Sequence, residues 1–291
     1  MPKGFFFLIS AQFTSGLADN AFLILGIAFL SEQGYPGWWA PLLKFSFTLS
    51  YVLLAPLMGP LADAYAKAKL MACMNALKVV GVAFIFTNFH PMLAFAIVGL
   101  AASAYAPAKY GLMTETVPAE QLVKANAWLE VSVVMSVILG TVCGGFLVAA
   151  KNFEYMLILN QTLIENLNLS LQTQYAGPLI SLIVIYITAA VLNFKIPHID
   201  IKYEQQSMKP IALFRNFFQS NRILWTDPLG RVSLAVTTLF WGIGAVVQFA
   251  VLVWAKEALD MPLEQASLLQ AVVAIGVIVG AGAAGQMVAL H

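Results

Sequence analysis

Apolar residues fall in long blocks along the whole chain, separated by short polar punctuation, rather than at the spacing of half-buried soluble helices. A block of ~20 apolar residues crosses the ~30 Å hydrocarbon layer of a bilayer as an α-helix. The blocks predict eight spanning helices, over residues 5–30, 41–62, 70–89, 92–112, 125–150, 178–196, 230–256 and 265–290. The first starts behind Lys3 like a signal peptide, but it runs on past Asp19 to Leu30 and is read as a retained helix. Two connections are long, 151–177 and 197–229. In the second, "PIALFRNFFQSNRILW" puts Ile211, Phe214 and Phe218 on one helical face and Arg215, Gln219 and Arg222 on another. That pattern predicts an amphipathic helix over 210–225, lying in the membrane surface.

Composition agrees with the pattern. The chain is 60% hydrophobic and 10% charged, where soluble domains carry about a quarter charged residues. The expected class is an all-α polytopic membrane protein. A net charge of +1 leaves no basic surface for nucleic acid. Cys73 and Cys143 each sit inside an apolar block and read as buried thiols, so neither metal nor cofactor is expected. His90, His198 and His291 are isolated near helix ends, which argues against a lipid-modifying enzyme.

Basic residues fix the expected orientation. With the N-terminus in the cytoplasm, that side holds Lys3, Lys67, Lys69, Lys109, Lys124, Lys195, Lys202, Lys209, Arg215, Arg222 and Arg231. The other side holds Lys44, Lys151 and Lys256, and Lys78 lies within a span.

Polar residues inside the spans carry the candidate chemistry, because an ionisable group at membrane depth usually faces a bundle interior or a wet cavity. Asp19 and Asn20 sit side by side in the middle of the first span. They are read as lining a central cavity; the alternative is a carboxyl that only fixes packing against a neighbouring helix. Glu130 in the fifth span and Gln248 in the seventh are further candidates for ligand contact. Ser132, Ser136, Gly140 and Gly144 recur every four residues, and Gly276 with Gly280 forms a GxxxG pair; both are packing signals. The short loop "GPLADAYAKAK" places Gly59, Asp63, Lys67 and Lys69 together, and the expected latch joins Asp63 and Lys67 to Glu115 at the end of the fourth span.

That loop resembles the cytoplasmic signature of the major facilitator superfamily. Gly59, Asp63, Lys67 and Lys69 match it, while Ala66 stands where the family usually has glycine. Five stretches in order, "AQFTSGLADNAFL", "LADAYAKAKLM", "AYAPAKYGLMTE", "LVKANAWLE" and "TLFWGIGAVVQF", resemble the bacterial lysophospholipid transporter branch. The resemblance implies the superfamily fold with three parts. These are a six-helix bundle over 1–196, a cytoplasmic linker with an interfacial helix over 197–229, and the first two helices of an incomplete second bundle over 230–291. It also implies a flippase-type secondary transporter of the inner membrane, taking lysophospholipid, chiefly lysophosphatidylethanolamine, to a cytoplasmic-side acyltransferase. Asp19 and Asn20 would hold the ammonium and glycerol hydroxyl, and Lys109 the phosphate, with Glu130 and Gln248 nearby. Relatives carry a basic residue at the position of Gln248. The alternative on the same fold is a proton-coupled multidrug exporter, but its GPxxGG motif is represented only by "GTVCGG" at 140–145, with Thr141 in place of proline.

Overall fold

The structure, a computed structural model, describes residues 1–86, 90–150, 175–197 and 210–269, with 272–273 and 275–276. Its main elements are α1 (Lys3–Glu32), α2 (Trp39–Ala64), α3 (Lys67–Phe86), α4 (Pro91–Thr116), α5 (Leu122–Ala150), α6 (Ala176–Phe194), α7 (Pro210–Thr226) and α8 (Pro228–Leu259). A 3-10 turn, Ala119–Gln121, precedes α5, and residues 263–269 are helical. Seven of the helices, α1 to α6 and α8, are long and apolar enough to cross a membrane. No strand occurs among the described residues. Most of the eighth expected span, residues 87–89 of the third and residues 198–209 of the linker lie outside the described residues.

Helices α1, α2, α4 and α8 extend a few residues beyond their apolar blocks, while α6 ends at Phe194, short of its own. A 32-residue α8 is ~48 Å long at 1.5 Å per residue, so its polar ends reach past the hydrocarbon layer. Local signals set the ends. Asp227 caps α8, accepting from the Gly230 amide at 2.6 Å, and Pro228 occupies the first turn where its missing N–H costs nothing. At its other end Asp260 adopts a left-handed conformation, φ 50°, that closes the helix.

Helices α1 to α6 pack as one bundle, with α1 against α5 and α6, α2 against α4, and α3 against α4 and α6. The small-residue stripe of α5 lies on α1. A Cβ on Gly140 would sit 2.5 Å from the Leu17 carbonyl oxygen and 2.9 Å from the Asn20 Cβ, so only glycine permits this approach. Two apolar cores stack along α1. Phe5 and Leu8 belong to one, with Leu70, Met71 and Leu112; residues 18–30 of α1 supply the other, with Val82, Phe95, Leu179 and Tyr186. Between them runs a polar layer containing Gln12, Ser15, Asn75 and Lys78, all buried.

Helix α8 is buried only at Gln248, Leu252 and Ala255, in its C-terminal half. Leu252, Ala255 and Ala266 join the core around residues 18–30, and the Gly145 backbone lies against Ser267. At this end of the molecule α8 and residues 263–269 touch α1 and α5. Toward the other end, Leu229, Val232 and Phe240 of α8 are exposed. Helix α7 rests on α2 through Leu213, which is buried, while Ile211, Phe214 and Phe218 remain exposed together with Arg215, Gln219 and Arg222.

Candidate functional site

A cavity of about 180 Å³ opens where the polar layer of the bundle meets α8. Helix α1 lines it with Gln12, Ser15, Asp19, Asn20 and Leu23; α2 adds Lys44, Phe47 and Tyr51; α3 adds Lys78. Helix α4 brings Phe95, Tyr105 and Lys109, α5 brings Ser136, and α8 brings Trp241. Four charged groups therefore share one cavity, a single carboxylate and three lysines.

Asp19 is tied on both sides. The Lys78 ammonium donates to Oδ2 at 2.7 Å, and the Tyr186 hydroxyl donates to Oδ1 at 2.8 Å. Lys78 spends a second proton on the Ser15 hydroxyl at 2.9 Å, and Ser15 passes its own proton to Oδ1 of Asn75 at 2.7 Å. The rings of Tyr105 and Tyr186 lie 5.2 and 5.6 Å from the ammonium, within cation–π range. A buried ion pair is tolerable only when its remaining donors and acceptors are satisfied, and this one, formed between α1 and α3, is embraced by α4 and α6 as well. Asn20 turns back on its own helix, donating to the Gly16 carbonyl at 2.8 Å.

Lys44 and Lys109 face the same cavity, and among the described residues no carboxylate comes within ion-pair distance of either. The Lys109 ammonium lies 4.5 Å from the Tyr110 ring, and the Tyr110 hydroxyl donates to Oε1 of Glu130 at 2.8 Å. With Asp19 and Lys78 neutralising each other, the cavity keeps a positive surplus. Its chemistry suits an anionic group beside an apolar wall of Leu23, Phe47, Phe95 and Trp241.

The sequence-predicted residues divide accordingly. Asp19, Asn20 and Lys109 line the cavity together. Glu130 lies outside the lining and anchors Tyr110, and Gln248 is buried further along α8, where Trp241 is the residue that reaches the cavity. Lys78, Lys44 and Tyr186 did not emerge from the sequence as site residues. The signal for Lys78 was present, since "NALK" places Asn75 and Lys78 on one helical face inside an apolar block.

At the other candidate cluster, Lys67 opens α3, buried, with its ammonium 2.6 Å from Oε1 of Glu115 and 3.6 Å from Oδ1 of Asp63. The lysine stem crosses α4 at Gly111, where an added Cβ would lie 2.5 Å from the lysine Cε. Lys69 is exposed, and nothing packs against the Cβ direction of Gly59.

Comparison with known proteins adds three findings. The profile of the Major Facilitator Superfamily matches residues 8–290. Lysophospholipid transporter LplT of Yersinia enterocolitica (serotype O:8 / biotype 1B) is 36% identical over 291 residues, 100% of this chain and 66% of that protein. The protein of the same name in Yersinia pestis (strain Pestoides F) is 37% identical over 284 residues, 97% of this chain and 64% of its own. The chain thus spans about two thirds of the length of the curated relatives it matches. Among solved structures, an inward-facing, unoccupied bacterial homologue of the human lysosomal transporter Spinster superposes with a TM-score of 0.63 at 13% identity. The match covers 97% of this chain and 62% of that one, and the likeness is one of fold.

Proposed function

The chain belongs to the Major Facilitator Superfamily, and we propose that it serves as a flippase-type secondary transporter rather than an enzyme. Its substrate is lysophospholipid, chiefly lysophosphatidylethanolamine, moved across the bacterial inner membrane to be re-acylated by a cytoplasmic-side acyltransferase. The names of its relatives in Yersinia support the substrate class. The observation that carries the reading is the single carboxylate set among three lysines, beside aromatic residues, in one cavity.

Lysophosphatidylethanolamine has a phosphate, an ammonium, a glycerol hydroxyl and one acyl chain. Lys44 and Lys109 meet the phosphate with charge-assisted hydrogen bonds. Asp19, relinquishing part of its hold on Lys78, meets the ammonium, and Asn20 the hydroxyl. Glu130 sets Lys109 through Tyr110, and Gln248 contributes from α8 as the bundles move. At about 180 Å³ the cavity is smaller than the ~300–1,000 Å³ that encloses a whole drug-sized ligand. It holds the headgroup, and the acyl chain lies along the exposed apolar side of α8 near Trp241.

Residues 1–196 form the first bundle, 197–229 the linker with its interfacial helix, and 230–291 belong to the second bundle. The N-terminus is cytoplasmic in this reading, which the excess of lysine and arginine on that side supports. Lys67 with Asp63 and Glu115, beside Gly59 and Lys69, then forms a gate cluster on that side. The end around Gly145 and Ser267 faces the periplasm, and rocking of one bundle on the other exposes the cavity to each side in turn. Uptake of radiolabelled lysophosphatidylethanolamine into spheroplasts tests the proposal, in a strain lacking its own lysophospholipid transporter. Expression of this protein should confer uptake that the Asp19→Asn variant does not; equal uptake by empty vector and wild type would refute it.

A further inference from the structure

Behind the Lys78–Asp19 pair three polar side chains converge with hydrogen-bonding capacity left over. Asn75 on α3 and Asn193 on α6 have no exposed surface, and Tyr105 on α4 is 4% exposed. Among the described residues, Nδ2 of Asn75, the Tyr105 hydroxyl and both amide atoms of Asn193 make no hydrogen bond of good geometry, although both amides lie within reach of that hydroxyl. Buried polar groups left this way are rare, and they usually mark a bound water or ion.

We propose that Asn75, Tyr105 and Asn193 enclose a bound water, as an annex of the cavity that is independent of what the cavity carries. The direction of the hydrogen bonds identifies the occupant. Lys78 donates to Ser15, and Ser15 donates to Oδ1 of Asn75. The amide of Asn75 is therefore oriented, and its Nδ2 is left to donate onward. A metal cation offers nothing to an N–H donor, and the Lys78 ammonium, 5.2 Å from the Tyr105 ring, repels one. An anion would add charge to a wall where Lys78 is already balanced by Asp19. Water accepts from Asn75 and still has two protons to give, one to Oδ1 of Asn193 and one to the Tyr105 oxygen. Tyr105 and Lys78 also line the cavity, so water can reach the annex from it.

X-ray hydroxyl-radical footprinting of the purified full chain in lipid nanodiscs tests this, because radicals formed from bound water label the side chains that touch it. Tyr105 should be labelled at a rate comparable with the exposed Tyr110, and far faster than Phe22, which is fully buried and stacked on Phe95. In Asn193→Leu, which fills the annex and leaves the cavity lining intact, Tyr105 labelling should fall toward the Phe22 rate. Wild-type labelling of Tyr105 at the Phe22 rate would overturn the proposal. So would unchanged labelling in the variant, which would trace it to cavity water, or labelling that appears only when chloride is replaced by gluconate, which would place an anion there. Wild-type labelling at the Phe22 rate would overturn the proposal even if the variant does not fold.

Discussion

The Lys78 ammonium on α3 lies 2.7 Å from the Asp19 carboxylate on α1, in a polar layer between two apolar cores. Lys78 is almost wholly buried, while the Asp19 side chain keeps 17% of its surface open toward the cavity. The asymmetry suits a carboxylate that exchanges partners while the lysine stays in place. It also means that the cost of membrane depth is shared, since two opposite charges buried together need far less solvation than either alone.

Asp19→Asn should therefore do two things. It should abolish most uptake, and it should lower thermal stability in detergent, because Lys78 loses its counter-charge. Removing one partner of a fully buried pair costs about 3–5 kcal/mol, and the partial opening of Asp19 to the cavity should reduce that figure. Lys78→Met should destabilise similarly. The double variant should recover part of the loss, and additive melting-temperature shifts would show that the two groups do not interact.

Glu115→Gln should cost about 1.5–3 kcal/mol, the range for a hydrogen bond to a charged group, since Lys67 and Glu115 are both buried. Asp63→Asn should cost less, about 0–1 kcal/mol, because Asp63 is 39% exposed and its oxygen lies 3.6 Å away. Thermal unfolding of both variants under one condition checks the order. An equal or larger loss for Asp63→Asn would reverse the weight given to the two carboxylates.

How much of this was legible in the sequence depends on the residue. Lys67 and Glu115 lie at helix ends joined by short turns, so sequence position nearly fixes which ends meet. Asp19 stood out because a carboxylate in an apolar block is costly in lipid. Its partner did not, because pairing at mid-depth depends on how α1 and α3 are rotated in the bundle, and six apolar helices carry little rotational signal. Lys44 was counted among the charges on the side away from the N-terminus, yet it lines the cavity. The apolar blocks gave the number of described spans, while the ends of α8 were set by the Asp227 cap and the turn at Asp260 rather than by hydrophobicity.

Gly140→Val should destabilise the protein by about 1–3 kcal/mol through overpacking, since the new Cβ would meet the Leu17 carbonyl oxygen and Asn20 at the α1–α5 contact. Gly242→Ala serves as control, because nothing lies within 4 Å of its Cβ direction. A melting temperature lowered equally in both would detach the effect from that contact.

Single cysteines along α7 should show protection from a membrane-impermeant maleimide with a period of 3.6 residues. Leu213, packed on α2, should be protected, and Arg215, Gln219 and Arg222 should react. Phe214 and Phe218 are exposed, so their protection should require a bilayer and disappear in short-chain detergent. Uniform reactivity along the segment would contradict an interfacial helix.

The most direct test of the proposed headgroup site is photo-crosslinking of purified protein with lysophosphatidylethanolamine bearing a diazirine next to its glycerol, followed by peptide mapping. Adducts should fall on Phe47, Phe95 and Trp241 around the cavity, should be competed away by unlabelled lysophosphatidylethanolamine, and should be lost in Asp19→Asn. Adducts confined to outward-facing residues such as Val184 and Val191, unchanged by competitor or by the variant, would contradict it.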